Sequence, residues 1–424
     1  MTKTLKLILR DAEWLSGERI GRIALSFVIL LPVALGIEFW LHLHPAFALV
    51  HATRSVSFPL GEDFVNFWAG AKLAMAGHAA IVYDIAAFQR FEHAHTLFWQ
   101  FRWYAYPPVA LLLSAPLALF PYLAGYGFWI ASGAGLCAYL FSRSLRWPAA
   151  LLATFASPAF FFNVVSGQNG CFTAALMAGG LLLLERRPAV AGILFGLLCY
   201  KPQMAVLLPF ALIAAGHWKT VFAAALTVAA IVGLSVVAFG WDTWAAYLKV
   251  APLNATILEI GTLPSIQHNL HPFWHRTPTV FAAFRLAGAS IAIAYGAQAV
   301  SALAALVATV AVWRGGASQP VKSAALILAT FAATPYAWDY DLPIVTFAIV
   351  WLWIEAARSG FLPWERLVFA GALASTLVIG SLARVTAVQV GPVLFWLTLA
   401  FATARALGWR QFPVAAKFPA SETG

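Results

Sequence analysis

Residues 219–239 read KTVFAAALTVAAIVGLSVVAF, and no charged side chain follows Lys219 in this stretch. A helix crossing the hydrocarbon core of a bilayer needs about 20 apolar residues, so this segment alone is long enough to span a membrane. Similar apolar runs recur from Ile23 to Leu407, without the alternation of polar and apolar residues that marks barrel strands. The chain is therefore predicted to be all-α, a polytopic membrane protein with about 12 transmembrane helices.

The composition agrees with a membrane protein. Hydrophobic residues make up 62% of the chain and charged residues 10%, with a mean hydropathy of +0.82, whereas soluble domains carry roughly 25% charged residues. The net charge of +10 comes mostly from short loops, which indicates membrane orientation and not a nucleic-acid partner. Cys137, Cys171 and Cys199 lie in apolar runs without metal-ligand spacing, so neither a disulfide framework nor a zinc site is predicted.

We expect a single membrane-embedded domain over residues 1–424. Residues 44–121 would form a first outer loop with interfacial helices, and residues 241–278 a second. Residues 107–121 are predicted not to cross, because only then do the Lys and Arg residues of the loops fall on one side. Both termini would then be cytoplasmic, and the polar motifs would share the outer face. This pattern predicts a bacterial inner-membrane protein with its site facing the periplasm.

The first polar motif is GEDFVNFWAGAK at residues 61–72, where apolar side chains recur with helical spacing. We predict a short interfacial helix that begins after Asp63. A carboxylate at this position is suited to removing a proton from a bound hydroxyl group. The alternative is that Asp63 only caps the helix, for which aspartate is among the preferred residues.

The second motif is a positive charge at a helix break. Lys201 interrupts an apolar stretch and is followed directly by Pro202. A charge at membrane depth indicates function by default, and an ammonium group at a helix break suits a lipid-borne phosphate. The alternative is that the Lys201 side chain reaches along the helix to the water interface.

Further polar residues are predicted to lie on the same face. Gln168 and Asn169 offer neutral donors and acceptors for sugar hydroxyls, or cap the following helix. His268 and Arg276 in the second loop are candidate phosphate ligands. Pro272 breaks the helical spacing of the nearby histidines, so no metal site is predicted. The remaining candidates for sugar or acceptor binding are Gln203, Asn269, Trp68, Tyr106, Trp338, Asp339 and Asp341.

Asp339-Tyr340-Asp341 has the short Asp-x-Asp pattern of metal-binding transferases. It is a weak signal, since Asp341 is also placed to cap the next helix ahead of Pro343. Tryptophans such as Trp68 and Trp338 are suited to stacking on sugar rings, although interfacial tryptophan belts are the commoner explanation.

The order of these motifs resembles glycosyltransferase family 87, membrane enzymes of the GT-C superfamily. The resemblance rests on Asp63 with Phe67-Trp68, Gly77 to Tyr83, Tyr106-Pro107-Pro108, Gly167-Gln168-Asn169 and Lys201-Pro202-Gln203. It implies transfer of a sugar, a mannose-like hexose or a pentose, from a polyprenyl-phosphate donor to a glycolipid or glycan hydroxyl, with inversion. Asp63 would be the catalytic base, and Lys201 would contact the donor phosphate. His268 and Asn269 would contact donor or acceptor.

One segment departs from the family pattern. Thr334 to Asp341 reads TPYAWDYD, where many relatives have serine-Pro-x-x-Trp followed by histidine. The acidic residues put a donor-phosphate contact from this segment in doubt. They would instead bind acceptor hydroxyls or a cation. No cofactor is predicted, and a divalent cation stays an open alternative at this segment.

Two other classes of function fit parts of the sequence. A transporter or flippase for a lipid-linked or small polar solute also uses broken helices and buried charge, but its polar groups gather at the midplane between repeated halves. A non-catalytic subunit of an envelope assembly would tolerate Asp63→Asn. The one-sided motifs favour the enzyme.

Overall fold

The computed structural model describes residues 8–49, 61, 63–95, 103–261 and 273–408. Within these ranges the regular structure is helical, as the sequence predicts. The α-helices are α1 Gly17–Leu49, α2 Phe64–Met75, α3 Ile85–His95, α4 Val109–Ser114, α5 Tyr122–Ser142, α6 Trp147–Phe155, α7 Pro158–Ser166, α8 Gly170–Leu183, α9 Pro188–Leu197, α10 Leu208–Ala214, α11 Trp218–Phe239, α12 Trp241–Val250, α13 Pro252–Ile260, α14 Val280–Leu286, α15 Ile291–Arg314, α16 Gln319–Ala333, α17 Pro343–Ser359, α18 Glu365–Thr386 and α19 Gly391–Ala406.

Five helical segments in the described chain are long and apolar enough to cross a membrane: Gly17–Ile37, Tyr122–Ser142, Trp218–Phe239, Ile291–Arg314 and Glu365–Thr386. Helices α6 and α7 make a sixth if they count as one span bent by 57°. Only 6% of the residues in the apolar windows of α1 and α11 are buried inside the protein, as expected for lipid-facing helices. The all-α membrane class is thus confirmed, whereas twelve crossings would also require the shorter apolar helices.

Three local details bear on the sequence predictions. Helix α4 and the 3₁₀ turn after it cover only Val109–Leu119, which is too short to cross the roughly 30 Å hydrocarbon core. The apolar run at 281–313 is broken between α14 and α15.

Helix α2 forms as predicted, but its residues from Phe64 to Ala71 are buried. It therefore packs inside the protein and does not present one face to a membrane surface.

The main apolar core surrounds α16, whose residues from Ser323 to Ala333 are all buried. Helices α15, α17 and α19 pack against it. A second cluster, rich in aromatic residues, surrounds α2, with Phe64 packed against Tyr122 and Tyr126. The polar motifs lie where these two clusters meet.

An ion pair joins the helix ends farthest from the polar motifs. Glu365 at the start of α18 is fully buried and pairs with Arg405 near the end of α19. Arg405 also donates to the Ser359 hydroxyl and the Gly360 carbonyl. The other end of α19 lies roughly 20 Å away along the helix axis, where Gln389 donates to the carbonyl oxygens of Trp274 and His275.

Candidate active site

Asp63 is held against the turn between α7 and α8. Its backbone N–H donates to the Ser166 carbonyl at 2.9 Å. Gly167 follows in the left-handed region, with φ of 62°, and a Cβ there would lie 2.6 Å from Cβ of Phe64. Glycine at this position therefore allows both the turn and the close approach of Asp63.

The Asp63 carboxylate contacts Gln168 and does not cap α2. Gln168 Nε2 donates to Asp63 Oδ2 at 2.9 Å. Gln168 Oε1 in turn accepts from the Tyr106 hydroxyl at 3.0 Å and from the Asn169 backbone at 3.2 Å. Burial raises the pKa of Tyr106 well above its usual value, and nearby carboxylates add to the shift. The protonated phenol thus fixes the amide orientation in which Gln168 donates to Asp63.

Lys201 lies in the predicted break, between two 3₁₀ turns, Leu198–Tyr200 and Pro202–Ala205. Its side chain is 2% exposed and forms an ion pair with Asp341. The ammonium group also donates to Asn169 Oδ1 at 2.9 Å. The side chain is therefore buried and paired, and does not reach for the interface.

Arg276 pairs with the other carboxylate of the Asp339-Tyr340-Asp341 segment. Its Nε and one terminal nitrogen donate to the two oxygens of Asp339 at 2.8 and 3.1 Å. The same terminal nitrogen donates to the Ser166 hydroxyl at 3.0 Å. A bidentate contact of this kind fixes the plane of the guanidinium group.

The carboxylates of Asp339 and Asp341 are oriented by backbone N–H groups of neighbouring residues in the same segment. Asp339 Oδ1 accepts from the Tyr340 N–H, and Asp341 Oδ2 accepts from the Trp338 N–H. Asp341 therefore does not cap α17. This segment lies directly on the start of α8, where a Cβ on Gly170 would come within 1.9 Å of the Tyr340 carbonyl oxygen.

These side chains surround a cavity of about 420 Å³. Lys201 and Arg276 line it together with Asp63, whereas Asp339 and Asp341, which pair with the two cations, do not line it. The predicted site residues along its wall are Asp63, Tyr106, Gln168, Lys201, Gln203, Arg276 and Trp338. The structure thus brings together residues that are up to 275 positions apart in the sequence.

Some predicted residues lie elsewhere. Trp68 lies on α2 with its side chain buried, and its indole N–H donates to the Phe120 carbonyl at 3.0 Å. These surroundings do not support sugar stacking. His268 and Asn269 fall outside the described residues. Among the described residues, no three His, Cys, Asp or Glu side chains cluster closely enough to hold a metal ion.

The cavity also contains residues that the sequence analysis did not single out. Asn66 lies one helical turn after Asp63, and that i, i+3 spacing was a usable signal. Asn254 accepts from the Trp103 indole and donates to the Ala105 carbonyl, which fixes the loop before Tyr106. No sequence signal pointed to Asn254.

A larger apolar groove adjoins the polar cavity. It has a volume of about 800 Å³ and runs along α5, α8 and α9. Tyr200 lines both spaces, and Asn169, the partner of Lys201, lies in the groove wall. At its far end the groove reaches Arg143, Glu185 and Arg186. The polar cavity and the apolar groove therefore share Tyr200 in their walls, and the groove extends toward the opposite ends of these helices.

The model of glycosyltransferase family 87 matches residues 104–335, more than half of the chain. The chain belongs to glycosyltransferase family 87. This glycosyltransferase is accordingly a membrane enzyme that acts on a sugar donor and an acceptor. The match includes Tyr106, Gln168, Lys201 and Arg276, and Asp63 lies before it. No curated protein and no solved structure matches the chain.

Proposed function

We propose that this glycosyltransferase transfers a sugar from a polyprenyl-phosphate donor to an acceptor hydroxyl, with inversion at the sugar carbon. The observation that carries the proposal is that a carboxylate and two cations line one cavity, with an apolar groove beside it. Asp63 is the general base, and Lys201 and Arg276 bind the phosphate. A mannose-like hexose or a pentose fits the family resemblance.

Inversion requires the acceptor hydroxyl to attack from the face opposite the leaving phosphate. Asp63 and the two cations line one cavity, so a base for the acceptor and a binding site for the phosphate are available to the same bound pair of substrates. Asp63 takes the acceptor proton as the new glycosidic bond forms, and the bond from the sugar carbon to the phosphate oxygen breaks. Since the leaving phosphate gains one negative charge, cations held in place before the reaction lower its barrier.

Asp339 and Asp341 have a different role in this proposal. Each is paired with one of the cations, and neither lines the cavity. We infer that they position Lys201 and Arg276 for the donor phosphate. The direct sugar or acceptor contact predicted for them from the sequence remains a prediction, and their pairing favours the positioning role.

The apolar groove supports a lipid-linked donor. A sugar phosphate by itself would occupy only the polar cavity. A polyprenyl chain is apolar along its length, so it matches the apolar lining of the groove. The phosphate would then lie near Tyr200, where the groove meets the cavity.

We further propose about twelve crossings, with the short apolar helices used as spans, and both termini in the cytoplasm. The ends of α5, α8, α15 and α17 remote from the cavity carry or precede basic residues, among them Arg143, Arg186, Arg314 and Arg358. By the positive-inside rule, this charge distribution supports a cavity on the periplasmic side of a bacterial inner membrane. The reaction is proposed to need no metal cofactor, because Lys201 and Arg276 supply the positive charge.

The donor class is tested by supplying the purified protein in detergent with one radiolabelled sugar at a time, either as its polyprenyl phosphate or as its nucleotide. Membrane extract supplies the acceptor, and each reaction is run with and without EDTA. We expect transfer from a polyprenyl-phosphate sugar only, unaffected by EDTA. Transfer from the nucleotide sugar by the purified protein in delipidated extract would contradict the proposal.

A further inference from the structure

Asn66 lines the cavity beside the proposed base and has a buried acceptor atom. The residue is 8% exposed, and its Oδ1 has no hydrogen-bond partner within the described chain. An unsatisfied polar atom at such a depth costs free energy comparable to a lost hydrogen bond. Such an atom next to a reaction centre points to a ligand that donates a hydrogen bond.

The position of Asn66 on α2 defines where that donor would lie. Asp63 and Asn66 are one helical turn apart, and side chains with this spacing have Cβ atoms about 5–6 Å apart on one face. Both residues line the same cavity. Two oxygen acceptors on one face match two hydroxyl groups carried by adjacent carbon atoms.

We propose that Asn66 binds the hydroxyl next to the one that Asp63 deprotonates, so that the acceptor is a vicinal diol. This inference rests on the function proposed above and narrows its acceptor. A sugar ring and the polyol headgroup of a lipid both offer such a diol. An isolated hydroxyl, as on a serine side chain or a fatty alcohol, offers no partner for Asn66.

The first test uses the wild-type enzyme and does not require a known acceptor. Periodate cleaves vicinal diols, so membrane extract is oxidised, reduced with borohydride and freed of reagent before enzyme and labelled polyprenyl-phosphate sugar are added. Extract treated with periodate that was already quenched by glycerol is the control. We expect transfer to the control extract and at least a tenfold loss with the oxidised extract.

Each outcome of this test decides one claim. Equal transfer to both extracts would overturn the diol proposal and leave the proposed function intact. Absence of transfer even to the control extract would overturn the proposed function, and with it this inference. Linkage analysis of the labelled product then distinguishes a sugar ring from a lipid polyol as the source of the diol.

The second test compares Asn66→Ala with Met75→Ala, a control at the exposed end of the same helix. Loss of one neutral hydrogen bond should raise the KM for acceptor about 3- to 10-fold in Asn66→Ala. The KM for donor should be unchanged. An unchanged acceptor KM, with thermal stability matching the wild type, would contradict the proposed contact.

Discussion

Asp63 lies at the start of a buried helix, yet its carboxylate accepts from Gln168 and makes no cap. The capping alternative from the sequence is therefore wrong, although aspartate suits that position well. Tertiary contacts of the α7–α8 turn outweigh the local preference. The α7–α8 turn, and not the first turn of α2, therefore holds the carboxylate.

Lys201 and Asp341 allow stability to be separated from catalysis. Lys201→Met leaves a buried carboxylate without its cation, so we expect a loss of about 3–5 kcal/mol in the free energy of unfolding. The double variant with Asp341→Asn should recover much of that loss, because the uncompensated charge is gone. Neither variant should transfer sugar at more than a small fraction of the wild-type rate.

Thermal unfolding in detergent and transfer assays on the same samples check this prediction. A double variant with restored activity would show that Lys201 serves only to neutralise Asp341. Lys201→Met with unchanged stability would show that the pair is not buried as described.

At the scale of elements, the short turn between α7 and α8 holds most of the site together. Ser166 contacts both Asp63 and Arg276, and Gln168 contacts Asp63 and Tyr106. Asn169 contacts Lys201. A shift of this turn would move the base and both cations relative to one another.

Gly170→Ala tests that dependence. The new methyl group would lie within 1.9 Å of the Tyr340 carbonyl oxygen, so the Asp339-Tyr340-Asp341 segment must move. Because a displacement of about 1 Å can cost 100-fold in rate, we expect at least a tenfold loss of transfer. Gly127→Ala, with nothing near its added methyl group, should keep full activity in the same assay. Wild-type transfer by Gly170→Ala would mean that the segment does not position the cations.

The sequence predicted the separate elements of this site better than their contacts. Asp63, Lys201 and Gln168 stood out because polar residues are costly in an apolar chain. The pairing of Lys201 with Asp341 joins positions 140 apart, and no local pattern encodes such a distance. Helix α2 was expected to lie at the membrane interface, but it is buried. The spacing of its apolar residues does not show that neighbouring segments cover its other faces.

At the scale of the whole molecule, the polar site and the Glu365–Arg405 pair occupy opposite ends of α18 and α19. We expect Glu365→Ala to lower the free energy of unfolding by about 3–5 kcal/mol, because Arg405 would remain buried and unpaired with a carboxylate. Transfer per folded molecule should be unchanged. Thermal unfolding in detergent measures the loss of stability. The transfer rate divided by the amount of folded enzyme measures the activity.

Glu185→Gln is the control for this prediction. Glu185 also lies remote from the polar site, but its side chain is 62% exposed and its contact to His217 is 3.6 Å long. Removing such a pair should change stability by no more than about 1 kcal/mol. Equal destabilisation by Glu365→Ala and Glu185→Gln would show that burial of the ion pair contributes little.

The measurement that most directly tests the central claim is sugar transfer from labelled polyprenyl phosphate by wild type, Asp63→Asn and Asp84→Asn. Asp84 is an exposed aspartate that accepts from the Ala87 N–H at the start of α3, so it controls for loss of an acidic residue. Removing a general base should lower the rate by about 10²–10⁴-fold. We expect that loss in Asp63→Asn, with unchanged thermal stability and donor KM, and normal transfer by Asp84→Asn. Transfer by Asp63→Asn at the wild-type rate would contradict its assignment as the base.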